Sequence, residues 1–200
     1  MSKKESLMRI AARHFAKYGY EGVSLDAIAK ETGITKAAIY YHFKDKAHLY
    51  EAVLLERLRG LVEHIEQVLP SKGAKERLER YIEGFGSFLE QNPCFAAILA
   101  HEFADNGAHM SQEATLLLSR TLGILTSILN EGIEEGVFEM ENPMVVQMMI
   151  VSTLVMHQTT TQLRHKVSSF VSGYEVLPEP TIEDVAKVLA KKIRKAIRKE

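Results

Sequence analysis

Residues 24–46, SLDAIAKETGITKAAIYYHFKDK, leave the backbone few choices. Ser24 stands where an N-cap hydroxyl accepts from the amides left unpaired at a helix start. Leu25, Ile28 and Ala29 follow at helical spacing and define an inward face. Gly33 then closes the pattern as the residue that tolerates a left-handed backbone. Ile34 is expected to fill the corner, and Thr35 to cap a second helix in which Ala38, Ile39 and Phe43 point inward. Lys36, Ala37, Tyr40, Tyr41 and His42 fall on the outer side and ends. Two short helices crossing steeply over a Gly-containing turn describe a helix-turn-helix.

The rest of the chain reads as helices that support this hairpin. Leu7, Ile10, Ala11, His14, Phe15 and Tyr18 recur every three or four residues from Lys3 to Gly19, giving a helix in front of it. From Lys46 to Leu69 the pattern continues for about 25 residues before Pro70. That helix spans roughly 35 Å at 1.5 Å per residue, enough to lead from one domain into another. Further helices are expected at Ala74–Gln91, at Pro93 to about Ala104, at Ser111–Glu135, at Met144 to about Lys166 and at Ile182–Ile197. The Met144 helix is apolar nearly all round, which demands burial on several sides, one of them by a second copy of the chain. Val167–Thr181, with its serines, Gly173, Pro178 and Pro180, reads as a loop. No segment reads better as a strand than as a helix, so the fold class is all-α.

Charge is distributed unevenly. Residues 1–50 carry nine Lys/Arg against five Asp/Glu, residues 51–180 carry nine against eighteen, and residues 181–200 carry seven against three. A basic N-terminal unit on an acidic body fits a chain that meets phosphates at one end. The single cysteine, Cys94, lies in apolar PCFAAILA; it excludes an intramolecular disulfide framework and reads as a buried thiol. The first residues, MSKKESLMRI, lack the long apolar core of a secretion signal. The most apolar run, Met144–Met156, is 13 residues long and interrupted by Gln147, Ser152 and Thr153, too short and polar to span a bilayer. A cytoplasmic protein with no membrane partner is therefore expected.

The chemistry concentrates in the hairpin. An α-helix fits the DNA major groove, with its N-terminal residues at base edges and its neighbours on phosphates. Lys36 can donate to guanine or phosphate, and Ala37 lets the backbone come close. Tyr40, Tyr41 and His42 supply hydroxyls and a ring N–H, and Tyr41 can also meet a thymine methyl. Ser24 and Thr35 offer hydroxyls beside positive helix ends, and Lys46 can reach the flanking backbone. Against this stands a hairpin whose Tyr-Tyr-His is simply packed, in a ligand-binding module or enzyme that keeps the hairpin as structure. Effector-pocket candidates are Phe85, Phe88, Phe95, His101, Phe103, Met148, Met149, Met156 and His157, each of which also reads as ordinary core. His101, Glu102, Asp105 and His109 resemble a metal cluster only in part: HExxD lacks the second histidine of the zinc-protease pattern, so no metal is expected. Gly-rich phosphate loops, GxSxG and CxxC are all missing, so neither a cofactor nor a catalytic residue is expected.

GITKAAIYYHFKDKAHL, preceded by FAKYGYEGVSLDAIAKET, resembles the TetR family of bacterial transcriptional regulators. The likeness is specific over about residues 5–55, where Phe15, Gly19, Ser24, Ile28, Ala29, Gly33, Ile34, Tyr40, Phe43, Lys44, Lys46 and Leu49 stand at the family's positions. Ala37 departs from it, replacing a glycine often found there. The resemblance implies a helix-turn-helix DNA-binding domain over residues 1–46 and a larger helical effector-binding and dimerisation domain over residues 47–200. It further implies a homodimer formed by the last long helices and a small-molecule effector held in the second domain. The expected function is repression at a palindromic double-stranded operator, relieved by the effector. An activator of the same architecture is the alternative.

Overall fold

The computed structural model describes residues 2–71, 73–171 and 178–199. Among them ten α-helices are present: α1 Lys3–Tyr18, α2 Leu25–Thr32, α3 Lys36–His42, α4 Lys46–Val68, α5 Ala74–Gln91, α6 Pro93–Ala104, α7 Gln112–Glu134, α8 Pro143–Thr159, α9 Thr161–Ser168 and α10 Ile182–Ala196. The one extended pairing in the described residues is an isolated antiparallel bridge between Phe138 and Arg198. An all-α fold is what the periodicity requires.

The chain divides into two compact units, residues 1–60 with 92–118 and residues 61–91 with 119–200. The first therefore holds α1–α3 and the start of α4, together with α6 and the first turns of α7. Phe15 is its centre, fully buried and meeting the Tyr50 ring edge-on at 4.7 Å between centroids. Leu7, Ile28, Ile39 and Leu49 are fully buried in the same unit. α6 adds Phe95, Ala96, Ile98 and Leu99 to its buried residues.

In the second unit α10 packs along α5, and both meet α8. Gly86 makes this close approach possible: a Cβ there would stand 2.8 Å from the Ala186 side chain. Tyr81 is fully buried, and its hydroxyl lies 2.8 Å from Gln147 Oε1 on α8 and 3.1 Å from the Thr121 carbonyl on α7. Burial pushes its phenol up to about 12. After α7 the chain turns at Gly136 and lays the Phe138 ring on Gly132.

The long apolar helix differs from expectation. α8 stops at Thr159 and a separate helix, α9, begins at Thr161. Thr160 leaves helical geometry, with φ −118° and ψ 18°. Three successive threonines turn their hydroxyls back to carbonyls four residues earlier, which competes with helix propagation. Arg164 Nη1 then caps the freed end, 2.7 Å from the His157 carbonyl. Within the single chain α8 buries Val146, Ile150, Leu154 and Val155 and leaves Met144, Val145, Met148, Met149 and Met156 exposed, the side for which a second copy is the expected cover. α9 takes up the first two residues of the expected 167–181 loop, and residues 172–177 of that loop lie outside the described residues.

Candidate nucleic-acid interface

Two hydroxyl caps and one hydroxyl bonded back along its helix set the hairpin. Ser24 Oγ accepts from the Ala27 amide at 3.2 Å and Thr35 Oγ1 from the Ala38 amide at 3.2 Å. Thr32 sends its hydroxyl back to the Ile28 carbonyl. Gly33 between them is left-handed at φ 72°, ψ 25°, a conformation that a residue with Cβ rarely adopts. Leu25, Ile28, Ala29, Ile39 and Phe43 are buried, and α2 packs against both α1 and α3.

The outward side of α3 is correspondingly bare. Lys36, Ala37, Tyr40, Tyr41 and His42 are all exposed. Tyr41 is 86% exposed, which no packing role requires. Its ring meets His42 edge-on at 5.1 Å, a pair of donors side by side at the end of α3. Ser24 and Thr35 are exposed too, so each cap hydroxyl keeps its own hydrogen for an outside acceptor.

Two of the expected phosphate contacts are already engaged. Lys36 Nζ lies 2.8 Å from Asp26 Oδ2 on α2, an exposed pair whose hydrogen bond raises the lysine's pKa. Lys46 turns inward: its Nζ donates to the Tyr20 carbonyl at 3.0 Å and sits over the Tyr20 ring at 4.2 Å. Sequence reasoning missed both partners, because Asp26 and Tyr20 lie ten and twenty-six residues away on other elements. It also missed Glu31, which binds Arg13 and His14 of α1 and braces α2 from behind. The His14 hydrogen bond, with Arg13 beside it, holds the Glu31 carboxyl below its ordinary range.

The nine effector-pocket candidates are divided. Phe95, His101 and Phe103 belong to the first unit, and Phe85, Phe88, Met148, Met149, Met156 and His157 to the second. Phe85, Phe88 and Phe95 are core residues, whereas Phe103, Met148, Met149 and Met156 face outward. His101 is used within its own unit, its Nε2 lying 3.3 Å from the Ala16 carbonyl and its ring packed on Gly19. His157 is half-buried, and desolvation with nearby Arg164 lowers its pKa. The second unit carries a groove of ≈ 570 Å³ lined by Glu66, Leu69, Pro70, Arg77, Arg120 and Ile124, among others. Among the described residues no group of three or more His, Cys, Asp and Glu could hold a metal ion. Among the same residues no helix is long and apolar enough to cross a membrane.

Comparison with known proteins agrees with this geometry. A family model described as bacterial regulatory proteins, tetR family, matches residues 7–53, which hold the whole hairpin. A second, described as tetracyclin repressor-like, C-terminal domain, matches residues 75–172. A fatty acid metabolism regulator protein of Bacillus subtilis is 29% identical over 138 residues, 67% of this chain and 71% of that one. The transcriptional repressor NicS of Pseudomonas putida is 26% identical over 180 residues, 84% of this chain and 80% of its own. The structure of PfmR from Thermus thermophilus, a TetR family transcriptional regulator, superposes with a TM-score of 0.71 at 26% identity, covering 94% of this chain and 97% of the other. Hairpin, helical body and both family matches lead to one assignment: the chain belongs to the TetR family of bacterial transcriptional regulators.

Proposed function

We propose that this regulator is a cytoplasmic homodimeric repressor that grips a palindromic operator and leaves it when a small-molecule effector binds the C-terminal helices. In this reading residues 1–46 contact DNA, and residues 47–200 dimerise and bind the effector. Ser24, Thr35, Lys36, Ala37, Tyr40, Tyr41, His42 and Lys46 are the DNA-binding residues. The observation that carries the reading is the exposed outer face of α3, with Tyr41 almost wholly in solvent. A helix-turn-helix dimer places two such helices on half-sites one helical turn of DNA apart, or a multiple of it. The exposed methionines of α8 supply an apolar face of the kind a second copy covers. Release follows as a population shift: the effector favours an arrangement whose half-site spacing does not match the operator.

Repression, as opposed to activation, is supported by the relative named as a repressor, NicS. The relative named for fatty acid metabolism makes fatty acids and their thioesters the first effectors to try. The test is a gel shift with the duplex upstream of the protein's own gene, repeated with those compounds. Retention that weakens as salt rises, and that such a compound abolishes, is the expected result. Retention insensitive to every compound removes the effector half of the proposal, and no retention of that duplex removes self-regulation.

A further inference from the structure

Glu102 is a carboxylate where the helix should carry an apolar residue. It follows Phe95, Ile98 and Leu99 on the inward stripe of α6, and its side chain is 1% exposed. The Tyr50 hydroxyl of α4 donates to its Oε1. Its other oxygen, Oε2, has no hydrogen-bond partner among the described residues. The facing side chain, His109, is in the same condition: Nδ1 is buried without a partner, 3.6 Å from Glu102 Oε1. That distance is too long for a hydrogen bond. The opposite ring nitrogen, Nε2, points at Glu21 Oε1 at 3.5 Å, in the connector just ahead of α2. His109 lies on the Tyr20 ring, 4.2 Å between centroids, and Lys46 covers that ring as well.

The unpartnered Nδ1 of His109 stands one small step from Glu102 Oε1, which already accepts from Tyr50, on a carboxylate whose other oxygen is itself unpartnered among the described residues. An approach of about 0.8 Å turns the 3.6 Å gap into a charge-assisted hydrogen bond. Both ring nitrogens face carboxylates, and both can donate only when the imidazole is protonated. We propose that Glu102 and His109 form a proton-dependent clasp: the imidazolium bridges Glu102 on α6 to Glu21 in the connector and so steadies the hairpin for DNA. Closing takes one proton from solvent onto a neutral His109, and opening returns it. The groups facing His109 are Glu102 of α6, Tyr50 of α4, and Tyr20 and Glu21 of the connector, with Lys46 behind Tyr20; Asp105, at the end of α6, acts on Tyr50. Glu102 and His109 are positioning residues in this scheme, since neither reaches the outer face of α3. The scheme rests on the DNA-binding reading for its output but not for its geometry.

The test follows two readouts on the whole protein. Binding to the retained upstream duplex is measured by fluorescence anisotropy between about pH 6 and about pH 8, the range over which histidine changes charge. Hydrogen exchange is measured for peptides spanning residues 18–24 over the same range. Wild type is expected to bind about threefold or more tightly at the lower pH and to exchange more slowly in the connector. His109→Gln and Glu102→Gln each remove both dependences and weaken binding at the lower pH by the same factor that wild type gains there, about threefold or more, and the double variant is no weaker than either single one. Other histidines of the unit, His14, His42, His48 and His101, are common to all variants and cancel. An identical pH profile in wild type and His109→Gln overturns the clasp, as do additive losses or losses that track a fall in thermal midpoint. If wild type binds no duplex, connector exchange alone decides: a proton-dependent difference lost in His109→Gln supports the clasp, and none sinks it.

Discussion

Tyr41 and Lys36 share the outer face of α3 but are held differently, and their variants should fail differently. Tyr41 is almost free in solvent, so Tyr41→Ala removes a DNA contact without disturbing the fold. Operator affinity should fall about tenfold, as for one good groove contact, with the thermal midpoint unchanged. Lys36 is paired with Asp26, and a phosphate must share or displace that partner. Lys36→Ala should weaken binding to specific and random duplex alike and lower the salt slope by about one per half-site, read from affinity against salt. Equal slopes in wild type and variant would show that Lys36 keeps Asp26 on DNA. In the second unit Tyr81 makes a prediction about pH. Burial pushes its phenol up to about 12 in the folded chain, against an ordinary value near 10 when unfolded. The unfolded chain then releases its proton first. Stability is whole below about pH 10 and declines as pH rises toward about 12. Urea midpoints should fall over that range, and Tyr81→Phe should fall less steeply.

Among the elements, those whose boundaries are written in local chemistry were legible. Ser24 and Thr35 cap as their positions require, Gly33 is left-handed, and α5 runs over the expected residues Ala74–Gln91. The break at Thr160 was not legible, because three threonines read as tolerable in a helix until their hydroxyls are seen bonding backwards and Arg164 is seen at the freed carbonyls. Which side of the Met helix stays open was not legible for another reason: helical periodicity reports apolarity, not which apolar side the same chain covers. Of the residues proposed to face DNA, the exposure of the α3 set could be read from one helix, whereas the inward turn of Lys46 depends on Tyr20, on another element. Glu102 left a trace in the spacing from Phe95, Ile98 and Leu99, which marks an inward position, although its partners Tyr50 and His109 come from elsewhere. The turn after α7 offers a test of packing at this scale. A Cβ on Gly132 would stand 1.9 Å from the Phe138 ring. Gly132→Ala should therefore destabilise by about 1–3 kcal/mol, the range for overpacking, despite alanine's better helix propensity. Chemical denaturation of the Gly132→Ala and Phe138→Leu/Gly132→Ala variants checks it, since trimming the ring should restore part of the loss.

For the molecule as a whole, the proposed operator recognition and the proposed self-association are linked through geometry. A single recognition helix reaches one half-site, and its few contacts are weak at physiological salt. Joining two hairpins makes the second contact intramolecular and raises overall affinity by orders of magnitude without any new DNA contact. Residues 51–180 are acidic and contribute nothing attractive to DNA, so in the proposed dimer the gain comes from pairing the basic N-terminal units. The exposed side of α8, with Met144, Val145, Met148, Met149 and Met156, is the apolar surface that such pairing can bury. Introducing a charge there tests the link without touching the hairpin. Met148→Glu leaves the folded chain intact, because residue 148 is 62% exposed in the single chain. In a dimer the same carboxylates are brought out of water and toward each other, which strongly disfavours association. Sedimentation should show a monomer with unchanged helical circular dichroism, and operator affinity should fall by about a hundredfold or more. Affinity for random duplex, measured per hairpin, should hardly change. If the variant remains dimeric, α8 is not the interface; if it is monomeric and still binds the operator at full strength, one hairpin is sufficient and the palindrome is not needed.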